Sequence, residues 1–357
     1  MVKKLLLAAI AGILLLVLGA GVAWKLIDNF GNQILSAPEG VKSLEFTIEP
    51  GDSMKRVAIR LTGEGWLERS EFLELLARME QVASRIKAGE YLIPAGISHR
   101  ELLGLFIEGQ VRSFEVSLIE GQILAEALEE LNSHEKLSEP LDQKALQALL
   151  KELDIEGNSE GLFYPDTFFF HSGDSVASIL IRSRERMKEV LAEEWQNRVK
   201  GLPYKTAYEA LIMASLVEKE TGVTYERPEI AGVFVRRLNK GMRLQTDPAV
   251  IYGQGENYKG NLTRRMLREK TPYNTYMLKG LPPTPIAFVG REAINAALHP
   301  KAGKSLYFVA KGDGTHYFSN SLIEHNRAVR KYQIYQRRSD YRSSKSRSSQ
   351  NAPAESQ

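Results

Sequence analysis

Residues Leu5 to Trp24 form an uncharged, almost wholly apolar run of about twenty residues, the length a helix needs to cross ~30 Å of hydrocarbon. A cleaved signal would have a shorter apolar core of roughly 7–15 residues, so the run predicts a retained anchor. Lys3 and Lys4 precede it while Lys25 is nearly offset by Asp28. The positive-inside bias therefore predicts a cytoplasmic stub over 1–4, an anchor over 5–24 and a chain that continues on the far side of the membrane. Residues 25–43, with "GNQ" and "APEG", show no sustained period and read as a linker. From residue 44 to 111 the pattern becomes local and regular. "EFTIE" alternates as a strand, "PGDS" supplies a turn and a helix cap, and Met54, Val57, Ala58 and Leu61 recur at helical spacing. Ser70 to Met79 is a second amphipathic helix with Ser70 as its cap, and a strand follows between Gly89 and Gly96. The unit is β-α-α-β.

A larger α+β domain is predicted over 112–335. It opens with strand and helix in "SFEVSLIEGQILAEALEEL", then a helix from Ala145 to Leu153, and continues through "GLFYPDTFFF" and the helical "SVASILIRSRERMKEVLAEEWQNRV". "SLYFVA" and "THYFS" flank "KGDG", which is hairpin turn chemistry, and a closing helix runs from Leu322 to about Tyr335. Residues 336–357 are Ser-rich, basic and nearly free of aliphatics, a composition that predicts disorder.

The chain has 357 residues, 43% hydrophobic and 25% charged, enough for more than one core. A net charge of +3 with no basic block interleaved with aromatics gives no nucleic-acid footprint. There is no cysteine, which excludes disulfides, thiolate metal sites and a Cys nucleophile. The six histidines are scattered, so no metal site is expected. "GQGENY" has Tyr258 where a dinucleotide fingerprint needs glycine, and "GKS" at Gly303 to Ser305 has Leu298 where a P-loop needs its first glycine. No G-x-S-x-G elbow is present.

What remains is "YEALIMASLVEKETG". It is apolar on nearly every face from Ala210 to Val217, which marks a buried helix, yet it ends in two carboxylates, Glu218 and Glu220. Glu218 continues the stripe of Leu211 and Ala214, and Glu220 that of Met213 and Leu216, so periodicity does not separate them. With Gly222 as the expected C-cap, both lie in the last turn. There the helix dipole and desolvation each disfavour ionisation. A carboxyl kept protonated near neutral pH suits a general acid. The alternative is that one or both glutamates form a structural ion pair with Lys219, Arg227 or Arg236.

Two resemblances extend this reading. "FTIEPGDS", "VAIRL" and "KAGEYLIPAG" resemble a LysM-like peptidoglycan-binding module over 44–111, longer than a minimal one between its helices and closing strand. "GLFYPDTFFF", "VEKET", "ERPEIAGVFVRRLNKGMRLQTDPAVIYGQG", "TPYNTYMLKGLPPTPI", "ALHP", "YFVAKGDGTHYFS" and "EHNRAV" resemble, in order, the endolytic murein transglycosylases of the YceG-like family. That resemblance implies lytic cleavage of the MurNAc-β-1,4-GlcNAc bond within glycan strands, without metal or cofactor, by an enzyme of the inner membrane whose catalytic domain faces the periplasm. It implies peptidoglycan as substrate and association with peptidoglycan synthase complexes. It assigns the acid to the first glutamate of "EKET", Glu218, and makes Glu220 its neighbour. Gln245, Thr246, Asp247, Tyr273, Asn274, Thr275 and Tyr276 are expected to line the sugar groove, although Asp247 and Asn274 could instead be turn residues. His316, Glu324 and Asn326 fall in matching segments without an assigned role. Phe288 and Val289 stand where the family has Asn-Pro. A non-catalytic glycan-binding scaffold and a hydrolytic muramidase using Asp247 are the alternatives.

Overall fold

The structure is a computed structural model and describes residues 2–335; the tail predicted over 336–357 lies outside the described residues. The chain divides into two compact units. Among the described residues, one comprises the chain up to Phe114 with Lys136–Ser138 and Phe169–Asp174, the other Glu115–Glu135, Glu139–Phe168 and the chain from Ser175 onward.

In the first unit, α1 (Val2–Gly31) is followed by β1 (Ser43–Ile48), α2 (Met54–Gly63), α3 (Ser70–Met79), β2 (Gly89–Pro94) and α4 (His99–Glu108). The strands pair antiparallel, with Phe46 opposite Tyr91 and Ser43 opposite Pro94. Phe46, Ile48, Tyr91 and Ile93 point into a core shared with Met54, Val57, Leu61, Trp66, Leu73, Leu76 and Phe106. Ser53 caps α2 by accepting from the Arg56 amide at 3.3 Å, which satisfies one of the donors a helix start leaves free.

Three local features differ from the expectation. The first helix does not stop at Trp24: it runs to Gly31, so the predicted linker is helical at its start. Ile27 and Phe30 are buried in the unit's core, and Asp28 pairs with Arg100 at 2.9 Å, contacts that hold the last turns against α3 and α4. The apolar residues before them, Leu14 to Leu18 among others, stay exposed. Among the described residues this is the helix long and apolar enough to cross a membrane. Ser70 is the first helical residue of α3 rather than its cap, which is Arg69 without a side-chain bond. Finally, α4 was not anticipated although "SHRE" carries its start signal: Ser98 and Glu101 close a capping box and Gly109, at φ 71°, ends the helix in the left-handed region.

The second unit holds α5 (Leu124–Ser133), α6 (Gln143–Glu152), α7 (Val176–Gln196), α8 (Ala207–Glu220), α9 (Arg227–Asn239), α10 (Asp247–Gln254), α11 (Arg291–Leu298), the hairpin β5 (Tyr307–Ala310) and β6 (His316–Ser319), and α12 (Leu322–Val329). A two-stranded pair, β3 (Ser113–Ser117) with β4 (Thr167–His171), carries the division between units inside both strands. The chain is therefore α+β, with short antiparallel pairs among dominant helices.

The helix α8 is the centre of this unit. Thr206 and Glu209 form a capping box at its start, and every residue from Ala210 to Glu218 is buried, packed among α7, α9, α10 and α11. Burial on all sides is why its sequence lacks an amphipathic period. It ends differently from the expectation. Thr221 leaves the helix in extended conformation at φ −147°, and its Oγ1 accepts from the Val223 amide at 3.0 Å. No left-handed residue is needed, so Gly222 is not the cap. The departure at Phe288 and Val289 is absorbed by the core: Ile286 to Val289 are all buried, Ile286 donates to Ser215 Oγ at 3.1 Å, and Phe288 exchanges backbone bonds with Gly121 and Gln122 at 2.9 and 2.8 Å.

Candidate active site

Two residues along a helix are rotated by about 200° about its axis, so Glu218 and Glu220 leave α8 on opposite sides. Glu218 turns into the protein. Its Oε1 accepts from Arg227 Nη2 at 2.5 Å and its Oε2 from the Gly290 amide at 3.2 Å. Arg227, at the start of α9, is 1% exposed; its other Nη donates to Glu292 at 2.8 Å, and Glu120 lies 3.7 Å from it. Burial pushes the Glu218 carboxyl up and the Arg227 charge pulls it back.

Glu220 turns the other way, into the wall of a cavity of about 910 Å³. Around it stand Lys219, Arg237, Gln245, Asp247, Tyr258, Tyr276, Tyr307, Phe308, His316 and His325. Burial pushes its carboxyl up to about 7; Thr246, His316 and Arg237 work against the rise and Asp247 adds to it. The surface Glu220 retains faces the cavity, so it combines a proton held near neutral pH with access to a ligand.

The sequence-predicted residues divide along the same line. Gln245, Asp247 and Tyr276 line the cavity with Glu220. Tyr276 donates to Asp247 Oδ1 at 2.6 Å, which fixes both side chains in the wall. Gln245 is held at φ 51°, a left-handed conformation that costs a non-glycine residue about 1 kcal/mol or more. Its amide bond to the Thr275 carbonyl at 3.1 Å holds it there. Thr246 and Thr275 are buried and bind each other: Thr275 Oγ1 accepts from the Thr246 amide at 2.9 Å and donates to its carbonyl at 3.1 Å. Asn274 is fully buried and braces the loop, donating to the Met266 and Glu269 carbonyls at 3.0 and 2.6 Å and accepting from the Tyr276 amide at 3.0 Å. These three shape the wall from behind and do not line it.

Tyr273 belongs to another cluster. Its hydroxyl meets Thr284 at 2.8 Å and its ring packs edge-on against Tyr252, which in turn donates to Glu160 at 3.3 Å. Glu160 is buried, accepts from the Leu124 amide at 3.0 Å, and is pushed up by burial to about 7. The sign of its effect on stability follows. Between its ordinary value near 4.5 and about 7, the folded state holds a proton that the unfolded state has released, so this group's contribution falls as pH rises through that window. Glu160→Gln is expected to raise the melting temperature at pH 8 relative to wild type and to leave it nearly unchanged at pH 4. Parallel thermal scans check this.

Several cavity residues were not singled out in the sequence, although each lies in a segment that resembles the family. Arg237 on α9, Tyr307 and Phe308 on β5, and His325 on α12 meet because β5 packs against α9 and α12 packs against the hairpin. Asn326 also lines the cavity. His316 is buried, with Nδ1 2.8 Å from Glu226, and Glu324 closes the start of α12 by accepting from Tyr317 and the Asn320 amide at 3.0 Å each. Among the described residues no group of His, Cys, Asp and Glu could hold a metal ion.

Comparison with known proteins agrees with these motifs. An endolytic murein transglycosylase of Bacillus subtilis is 29% identical over 323 residues, covering 85% of this chain and 89% of that protein. An endolytic murein transglycosylase of Streptococcus pneumoniae is 25% identical over 317 residues, and the match spans 57% of its length. A crystal structure of a YceG-like protein of Listeria monocytogenes superposes with a TM-score of 0.52 at 27% identity, over 80% of this chain and 99% of that one. The YceG-like family itself matches residues 46–331, so the match reaches into both compact units and takes in the cavity wall up to Val329: the chain belongs to the YceG-like family.

Proposed function

We propose that the protein is an endolytic murein transglycosylase and that Glu220 is its acid and base. The observation that carries the assignment is the pairing of a carboxyl near pH 7 with a cavity wall of hydroxyl, amide and aromatic groups suited to a glycan. In this reading the protonated Glu220 gives its proton to the glycosidic oxygen as the bond to the muramyl anomeric carbon breaks. The muramyl C6 hydroxyl attacks that carbon, and Glu220 recovers a proton from it. The products are a 1,6-anhydro-muramyl end and a new GlcNAc end, with no water consumed. One carboxyl performs both transfers. This reading moves the acid from Glu218, where the motif resemblance set it, to Glu220. The physical ground is that Glu218 is committed to Arg227 and Gly290 and is absent from the cavity wall.

Asp247 gives a hydrolytic reading some footing, because a second carboxylate in the same cavity could activate water. Product analysis decides between them. Purified protein incubated with glycan strands and analysed by mass spectrometry is expected to yield anhydro-muramyl ends; reducing muramyl ends would favour hydrolysis, and intact strands the scaffold alternative.

The β-α-α-β core of the first unit, with its antiparallel β1 and β2, supports the LysM-like reading of residues 44–111, to which α4 is an addition. The exposed apolar length of α1 supports a membrane anchor. The Lys3 and Lys4 bias supports a periplasmic catalytic unit beside the membrane. Recruitment by peptidoglycan synthase complexes fits that address.

A further inference from the structure

The last two turns of α1 are built into the first unit. Leu26 is 62% exposed, whereas the next residue, Ile27, is 4% exposed and packs in the unit's core with Phe30 and Leu35. No glycine or proline interrupts Trp24 to Phe30, so the change from open to packed surface falls between neighbouring residues of one unbroken helix. Arg100, in the first turn of α4, uses every edge of its guanidinium to hold that helix end. Nη2 donates to Asp28 at 2.9 Å, Nη1 to Asn32, and Nε to Glu80 just past α3 at 2.7 Å. The His99 ring stacks on Phe30 with centroids 3.9 Å apart, and its Nδ1 donates to the Phe30 carbonyl at 2.9 Å, one of the acceptors a helix end otherwise leaves open. Phe72 of α3 meets the Phe30 ring edge-on at 5.5 Å. Gly31 comes so close that a β-carbon there would stand 3.0 Å from Arg100 and 3.2 Å from Leu76. Beyond the helix the chain stays fastened: the Gln33 carbonyl accepts from the His99 amide at 3.1 Å, and the Leu35 amide donates to the Ile97 carbonyl at 2.9 Å.

We infer that α1 is a rigid strut rather than a tether, and that it fixes the first unit in one orientation directly on the phospholipid headgroups. This rests on the membrane reading of α1 above. With Trp24 at the edge of the hydrocarbon, Asp28 stands four residues on, about 6 Å higher along the helix axis. That height falls within the headgroup layer of roughly 5–8 Å that covers each side of the hydrocarbon. The pair of Asp28 and Arg100 therefore lies at the level of the headgroups, and no spacer separates lipid from core. A continuous helix transmits the tilt and rotation that a flexible linker would dissipate, so the unit turns with its anchor. Whatever residues 44–111 hold, a glycan strand under the LysM-like reading, is presented at one height and one angle to the bilayer.

The test is a distance distribution across the junction, on the full chain in nanodiscs of phosphatidylethanolamine and phosphatidylglycerol. The chain has no cysteine, so Val17→Cys and Leu92→Cys, both at exposed positions, place one spin label on the anchor and one on β2. Pulsed electron resonance is expected to give a single narrow distance. Four Gly-Ser pairs inserted between Lys25 and Leu26 leave the unit's core untouched and interrupt the strut. The ends of such an insert wander over about 16 Å, and the distribution should widen on that scale. Removing the fastening instead, with Arg100→Ala and Phe30→Ala together, should widen it as well. A parent distribution as wide as that of the insert would overturn the strut, and so would a fastening variant that stays as narrow as the parent. A parent that does not co-purify with the nanodiscs would sink the membrane reading itself, whereas one that stays in them with a broad distribution sinks only the strut.

Discussion

Glu220→Gln is expected to lower turnover on glycan strands by about a thousandfold, within the range general acid catalysis contributes, in a protein that remains folded. The amide keeps the size and the hydrogen-bonding capacity of the side chain and removes only the transferable proton. Because the carboxyl is raised to about 7, the wild-type kcat/KM should fall tenfold per pH unit above that value as the acid form is lost. This descending limb is expected to be absent from the residual rate of the variant. Glu218→Gln is the matched control: its folded fraction should retain turnover within about tenfold. Anhydro-end release measured across pH 5 to 9 for the three proteins checks all of this. Near-wild-type activity in Glu220→Gln, together with a thousandfold loss in Glu218→Gln, would return the acid to Glu218.

The second large effect is on stability. Arg227→Met should destabilise the protein by about 3–5 kcal/mol, the cost of leaving a buried carboxylate without its cation. Glu218 is the residue so exposed, because among the described residues its oxygens bond to Arg227 and the Gly290 amide, and Glu292 would lose its contact at 2.8 Å as well. Adding Glu218→Gln to Arg227→Met should recover part of the loss, since the buried charge then goes too. Urea unfolding of the wild type, both single variants and the double variant gives the coupling directly. An Arg227→Met protein as stable as wild type would show that the pair is not what holds α8 to α9.

That network also explains why a helix with no polar face can end in two carboxylates. Its last turn is pinned on one side by Arg227 and the loop at Gly290, and this pinning orients the other side, with Glu220, toward the cavity. Glu218 helps to fix where α8 ends, and the short extended exit through Thr221 leaves Glu220 at the lip of the cavity.

Much of this was legible in the chain alone. An apolar run of membrane length, a β-α-α-β pattern, a helix buried on all faces and a Gly-rich hairpin are local in origin, since each depends on periodicity or turn chemistry within a few residues. The sequence likewise narrowed the search for an acid to two glutamates and excluded cysteine chemistry outright. It did not anticipate α4, whose capping signal lies in an otherwise unremarkable stretch, nor the extended exit from α8.

Which glutamate faces the cavity depends on groups far away in sequence. Arg227 and Gly290 claim one side of the helix end, while Gln245, Tyr276, Tyr307 and His325 border the other. Asn274 and Thr275 looked like ligand contacts because they are polar and sit in a loop, but burial turned them into braces for that loop. The sequence by itself determined most of the helices and strands and the identity of the charged groups, because local pattern encodes them. Only the tertiary structure decided which of those charges are sealed against one another and which face open space, because that depends on what packs against each helix face.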